Sequence, residues 1–159
     1  MAAPDGSPLA GVHAFRFEVT SASIDGNGHV NNLEYLRWMQ EVAIAHSAAA
    51  GWPMDRYAAE GTAWVVRKHA IEYVRPAFAG ERLVALTWVE GFRAHVSPRG
   101  YLFWRERDRA VVAKAQTLWV YVDAATGRPA KVPAAFRECF DLVRGEDAVL
   151  DALAAWSPG

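Results

Sequence analysis

Ile24-Asp25-Gly26-Asn27-Gly28-His29-Val30-Asn31-Asn32 sets one carboxylate, one imidazole, three carboxamides and two glycines between a strand-like segment and a helix-like one. A strand-to-helix junction gathers free backbone N–H groups at the positive end of a helix dipole. Polar side chains concentrated there can act on a polarised carbonyl. Upstream, His13 to Thr20 alternates, with Phe15, Phe17 and Val19 on one side and Arg16, Glu18 and Thr20 on the other, which predicts a half-buried strand. Downstream, Asn32 to Ala50 contains neither proline nor glycine, and Tyr35, Met39, Val42, His46 and Ala49 share one helical face flanked by Trp38. Glu34, Arg37, Gln40 and Glu41 fall on the opposite face. Asn31 is the expected N-cap, with Glu34 completing a capping-box-like pair, and Gly51 and Pro53 end the helix. Ile44 lies on the polar side with nothing in the pattern to bury it.

From Thr62 the period changes to two. Four strands are expected, over Thr62 to Val74, Glu81 to Gly91, Arg99 to Arg107 and Ala110 to Val122, punctuated by Pro76 to Gly80, Ser97-Pro98 and Asp108-Arg109. Such short connections favour antiparallel neighbours. With the first strand they predict an α+β domain: one long central helix wrapped by a five-stranded antiparallel sheet. Pro133 should open a short helix burying Phe136, Cys139, Phe140 and Val143, and Val149, Leu150, Leu153 and Trp156 predict another. The expected organisation is a flexible arm over residues 1–12, the domain over 13–143, and a C-terminal extension over 144–159 packing on it.

The composition narrows the function classes. At 159 residues the chain is the size of one ordinary domain. A formal net charge of -1 gives no global attraction to nucleic acid. Seven Trp, seven Phe and five Tyr supply enough large apolar surface to point to a subunit interface. A lone cysteine, Cys139, permits no internal disulfide, no signal-like start is evident, and no apolar run approaches the ~20 residues of a membrane span. A cytoplasmic protein is expected, with no membrane partner.

Several chemistries fail on spacing. Asp25-x-Asn27-x-His29 resembles the start of a calcium loop, but Val30 stands where glycine is needed and Leu36 where a bidentate Glu is needed. A dinucleotide turn would need a glycine at Asn31 and a repeated strand-helix-strand unit. Nucleophile elbow, phosphate loop and zinc patterns are missing from the sequence, and His13, His46, His69 and His95 are scattered along it. No metal is expected.

Asp25-x-Asn27-x-His29-Val30-Asn31-Asn32-x-x-Tyr35-Leu36 resembles the signature of hotdog-fold acyl thioesterases, both the 4-hydroxybenzoyl-CoA thioesterase-like group and the plant acyl-carrier-protein thioesterases. The resemblance continues through Ile71-Glu72-Tyr73-Val74-Arg75-Pro76-Ala77 to Gly80-Glu81, and through Trp119 to Asp123 and Thr126-Gly127-Arg128-Pro129. It spans roughly Phe15 to Pro133 and implies the hotdog fold. Asp25 matches the catalytic Asp of the first group, and Asn27 and His29 match two members of the plant enzymes' proposed catalytic set. Many relatives carry a second Asp at the position of Ser23, where this chain departs from them.

That resemblance implies hydrolysis of an acyl-CoA or acyl-carrier-protein thioester to free acid and thiol. Asp25 is then a general base or a nucleophile, and N–H groups at the helix start are oxyanion donors. Gly28, Asn32, Tyr35, Arg67 and Arg75 are the expected substrate-binding residues. Lys68, Arg93 and Arg99 are further candidates for a phosphate, or ordinary solvated charges. No cofactor is expected beyond the coenzyme A or phosphopantetheine of the substrate itself. A homodimer or a tetramer of dimers is implied in the same way. Read alone, Asp25 is a turn residue, His29 a packing residue, and His46 a core histidine beside a possible acyl pocket. A non-catalytic acyl-CoA-binding or sensing protein is the alternative function.

Overall fold

The computed structural model describes residues 6–159. Five strands form one antiparallel sheet: β1 (Val12–Glu18), β2 (Thr62–Tyr73), β3 (Arg82–Val89), β4 (Val96–Arg105) and β5 (Ala110–Asp123), in the order β1-β3-β4-β5-β2. Helix α1 (Asn32–Ala49) crosses one face. The expectation of one long central helix needs correction, because α2 (Met54–Glu60) joins it, together with the two short C-terminal helices the sequence predicts, α3 (Ala134–Arg137) and α4 (Glu146–Leu153). Pro53 is the reason α2 is hidden in the sequence. It breaks α1's continuation and, with extended backbone, serves as the N-cap of a new turn that Gly61 ends in the left-handed region, at φ 72°.

Residue parity explains the layers. On β3 and β4, odd-numbered Leu83, Ala85, Tyr101 and Phe103 meet Tyr35, Trp38, Met39 and Val42 of α1, with Phe17 of β1 alongside. Even-numbered Val84, Leu86, Trp88, Leu102 and Trp104 meet Val143, Val149, Leu153 and Trp156. The central strands are therefore buried on both faces, which is why β3 reads as an apolar run rather than an alternation. Each fully buried side chain of this size contributes roughly 1.5–3 kcal/mol. A third cluster, Trp52, Tyr57, Val89, Tyr121, Val132, Phe136 and Phe140, closes the end of the sheet under α2 and α3.

Strand β4 starts earlier than the sequence predicts and runs through Pro98, which pairs with Leu118 of β5. Strand β3 pairs only as far as Arg99, so at Pro98 β4 has a strand on one side alone, where a missing N–H is tolerated. At the other end of the chain, residues 1–5 of the expected arm lie outside the described residues. Ser7 is buried, and the Gly6 carbonyl accepts the Trp156 indole N–H at 2.9 Å.

His46, on the last full turn of α1, stacks on His13 of β1 with ring centroids 5.4 Å apart, and Phe140 meets it edge-on. Burial, then the Arg99 charge, then His13 push its pKa down to about 2. The unfolded chain takes up a proton here near pH 6.5 and the fold does not, so stability falls as pH drops below that value.

Two outcomes follow from this packing. A Cβ at Gly100 would overlap Cε2, Cζ2 and Nε1 of Trp88, itself 2% exposed, so Gly100→Ala should cost about 1–3 kcal/mol, read as a lowered Tm. Between pH 6.5 and 5, above the carboxylate range, urea unfolding should show a loss of about 2 kcal/mol attributable to His46, and His46→Gln should flatten that slope.

Candidate functional site

The Asp25–Asn32 junction is a closed loop pinned at three places. Ile24 and Val30 bridge each other, the Asp25 N–H donates to the His29 carbonyl at 2.8 Å, and the Gly28 N–H returns to the Asp25 carbonyl at 3.1 Å. Gly28 closes this turn at φ 78°, a conformation L side chains rarely adopt. Val30 N–H donates to Ala77 O at 2.9 Å and Asn31 N–H to Ser23 O at 2.8 Å, fastening the loop to the segment after β2 and to the turn before it. The helix start follows directly.

Asn31 caps α1, its Oδ1 accepting the Leu33 N–H at 2.9 Å. The capping-box role expected of Glu34 is not filled. Its carboxylate instead accepts from Ser23 Oγ at 2.5 Å and pairs with Arg37 at 2.9 Å. Arg37 first, and the Ser23 hydroxyl second, hold the Glu34 carboxyl below the usual carboxylate range. A second Asp at position 23 would face this carboxylate, so the departure at Ser23 is matched by its neighbour.

Asp25, Asn27, Gly28, His29 and Asn32 are thus brought together on one exposed rim. Asp25 is half-buried and Asn27, Gly28, His29 and Asn32 are exposed. Asp25 Oδ1 accepts the Asn27 N–H at 2.8 Å, a turn-forming bond that leaves Oδ2 without a protein partner among the described residues. The His29 ring meets Phe78 edge-on at 5.3 Å, and the Asn32 carbonyl accepts the Tyr73 hydroxyl at 3.3 Å. With Leu33 and Glu34 N–H groups both bonded to Asn31, the Asn32 N–H is left at the helix start without an acceptor among the described residues.

Tyr35 lies behind the rim rather than on it, 3% exposed among Trp38, Tyr73 and Phe103, with its phenol pushed up to about 12 by burial. Arg67 is exposed at the bulge of β2, between Val66 and Lys68. Arg75 follows β2 and donates to the Val111 carbonyl at 2.8 Å. Arg99 is no solvated charge. It is 6% exposed under α1, and its Nη1 meets His46 Nδ1 at 2.9 Å and Thr87 Oγ1 at 3.1 Å.

Arg99 also lines a cavity of about 430 Å³, within the size range of small-molecule sites. Its walls come from the second half of α1 (Gln40, Ala43, Ser47), from α2, and from Trp64, Ser97 and Trp119 of the sheet. The cavity begins eight residues along α1 from Asn32, about 12 Å. Asp25, Asn27 and His29 do not touch it. The sequence reading missed this cavity, although one signal was present: Arg99 has the parity of Tyr101 and Phe103, the apolar face of its strand.

Among the described residues no helix is long and apolar enough to cross a membrane. No curated protein matches the sequence. Among the many solved structures that share the fold, three are representative. A 1,4-dihydroxy-2-naphthoyl-CoA thioesterase from Synechocystis is 21% identical over 81% of this chain and 95% of its own, with a TM-score of 0.75. A DHNA-CoA thioesterase from Staphylococcus aureus is 18% identical over 76% of this chain and 80% of its own, at 0.70. A putative oleoyl thioesterase from Lactobacillus plantarum is 18% identical over 86% of this chain and 53% of its own, at 0.78. Identities this low establish shared architecture only. The sequence itself matches the thioesterase-like superfamily over residues 19–140, most of the chain. The chain therefore belongs to the thioesterase-like superfamily and is a thioester hydrolase of the hotdog fold.

Proposed function

We propose that the protein hydrolyses an acyl-CoA or acyl-carrier-protein thioester, with Asp25 as the reacting carboxylate. The observation that supports this is that an Asp25 carboxylate oxygen and the Asn32 N–H at the start of α1, both without a partner among the described residues, lie on one exposed rim. In the general-base route Asp25 takes a proton from water, the hydroxide adds to the thioester carbonyl, and the Asn32 N–H holds the oxyanion. Collapse breaks the C–S bond, and the thiolate recovers the proton. In the nucleophilic route Asp25 displaces the thiolate to form an anhydride that water then opens. Asn27 and His29 position the thioester, Gly28 lets it approach the backbone, and Arg67 and Arg75 meet the carrier's phosphates. The carrier is part of the substrate, and no cofactor is invoked.

The cavity and Asp25 lie at opposite ends of α1, and a homodimer would unite them. Strand β2 has 12 residues and pairs with β5 alone, so its other edge is open. Two copies joined antiparallel through that edge would bring the Tyr73 end of one β2, with its Asp25 loop, to the Thr62 end of the other, beside the cavity. Each site would then combine Asp25 of one subunit with the acyl pocket of its partner. A dimer or a tetramer of dimers, working in the cytoplasm, fits this reading.

Thiol release from a panel of acyl-CoAs should be abolished in Asp25→Ala and Asp25→Asn with Tm unchanged. Full activity in purified Asp25→Ala would sink the assignment, and binding without release in the wild-type protein would favour the acyl-CoA-binding alternative. Single turnover in oxygen-18 water tests the nucleophilic route, since label found in Asp25 requires an anhydride that water opens at the Asp25 carbon, which the general-base route does not form. Sedimentation should show a dimer or larger, and a fully active monomer would refute the shared site.

A further inference from the structure

Among the described residues, Arg99 is the one charged side chain on the cavity wall. Both of its hydrogen bonds leave from Nη1, toward His46 Nδ1 and the Thr87 hydroxyl, and neither acceptor carries negative charge. His46 serves as a neutral acceptor, since its other neighbours are the His13 ring and Phe140. None of the ion pairs among the described residues involves Arg99. Among the described residues, its Nε and Nη2 therefore keep three N–H groups without an acceptor. Burying a cation without a counter-charge is costly, and a fold retains one at a loss of stability unless something else repays it.

The surrounding wall supplies no acceptor of matching charge. It contains no aspartate or glutamate, and the indole N–H groups of Trp52 and Trp119, both on the wall, are buried without partners. Most of the remaining surface is apolar, with Val89 and Phe136 beside the indoles; of the polar side chains on it, the hydroxyls of Ser47, Tyr57, Thr62 and Ser97 are already bonded within the protein and Gln40 is exposed. An occupant complementary to these walls is apolar along its length and ends in an anion. The Nε–Nη2 edge of a guanidinium is the edge that takes a carboxylate through two parallel hydrogen bonds.

We propose that the cavity receives an acyl group ending in a carboxylate, that Arg99 pairs with it, and that the substrates are monothioesters of dicarboxylic acids. The proposal rests on the reading of the protein as a thioester hydrolase and names the substrate class for it. Arg99 is a specificity-determining residue, acting at the end of the acyl chain remote from the C–S bond.

The test compares glutaryl-CoA and adipoyl-CoA with pentanoyl-CoA and hexanoyl-CoA. The wild-type protein should favour the carboxylated pair in kcat/KM by on the order of 10²-fold, the effect of pairing a buried charge. Arg99→Met should erase that preference, Arg99→Lys should keep part of it, and Arg99→Met should melt no lower than wild type because a charge without a partner has been removed. Equal kcat/KM for the two series in the wild-type protein, or an unchanged preference in Arg99→Met, overturns the proposal. Calorimetry with free glutarate against pentanoate reads the anion site without any turnover. If no thioester is cleaved, the hydrolase reading fails on its own, while glutarate binding that depends on Arg99 still supports the anion site and its absence refutes it. Adenosine 3′,5′-bisphosphate provides the last arm: if its affinity collapses in Arg99→Met, Arg99 holds the carrier's phosphate and the dicarboxylate assignment is wrong.

Discussion

The burial of one helical stripe against one face of the sheet governs the rest of this molecule. Tyr35, Trp38, Met39 and Val42 recur at helical spacing and meet the odd-numbered side chains of β3 and β4, which recur at a spacing of two. Two periodicities can share a surface only in a narrow range of orientations. Once α1 is so held, its first turn is delivered to the rim where Asp25 sits, and its second half becomes the roof of a cavity. Rim and cavity are two consequences of one contact.

Much of this was legible in the sequence because it is local. The alternation of Phe15, Phe17 and Val19, the uninterrupted run after Asn32, and the turns at Gly80 and Asp108-Arg109 locate β1, α1 and the strand connections from neighbouring residues alone. The loop from Ile24 to Asn32 was legible for the same reason, since the bonds that shape its turn, Asp25 N–H to the His29 carbonyl and Gly28 N–H to the Asp25 carbonyl, close within it, while the bond from Val30 to Ala77 only fastens it to the sheet. The less visible features join distant parts of the chain. Helix α2 follows α1 after only four residues, and Pro53, which reads as a terminator in the sequence, is instead the N-cap of the next helix. Pro98 looked like a boundary because its tolerance in β4 depends on where a different strand stops.

The site divides in the same way. Asp25, Asn27, His29 and Asn32 are neighbours in sequence and neighbours in space. Arg99, His46 and Thr87 belong to three elements that only folding assembles, and a list of basic residues treats Arg99 like Arg93. Parity alone set it apart. A charge on the apolar face of a central strand is a local contradiction, and such contradictions in otherwise consistent sequences concentrate where function is selected.

The even-numbered face of the sheet is also spoken for. Val143, Val149, Leu153 and Trp156 lie on Val84, Trp88, Leu102 and Trp104, and the covering is tied down by Arg109, whose Nη2 donates to the carbonyls of Leu153 at 2.7 Å and Trp156 at 2.9 Å while its guanidinium sits over Trp104. Two sheets stack face to face only when each offers a bare apolar layer about 10 Å from the other. By supplying that second layer itself, the chain leaves no bare apolar layer on the back of its sheet for a second sheet to stack on. The proposed pairing through β2 uses a strand edge, the kind of surface this covering leaves open.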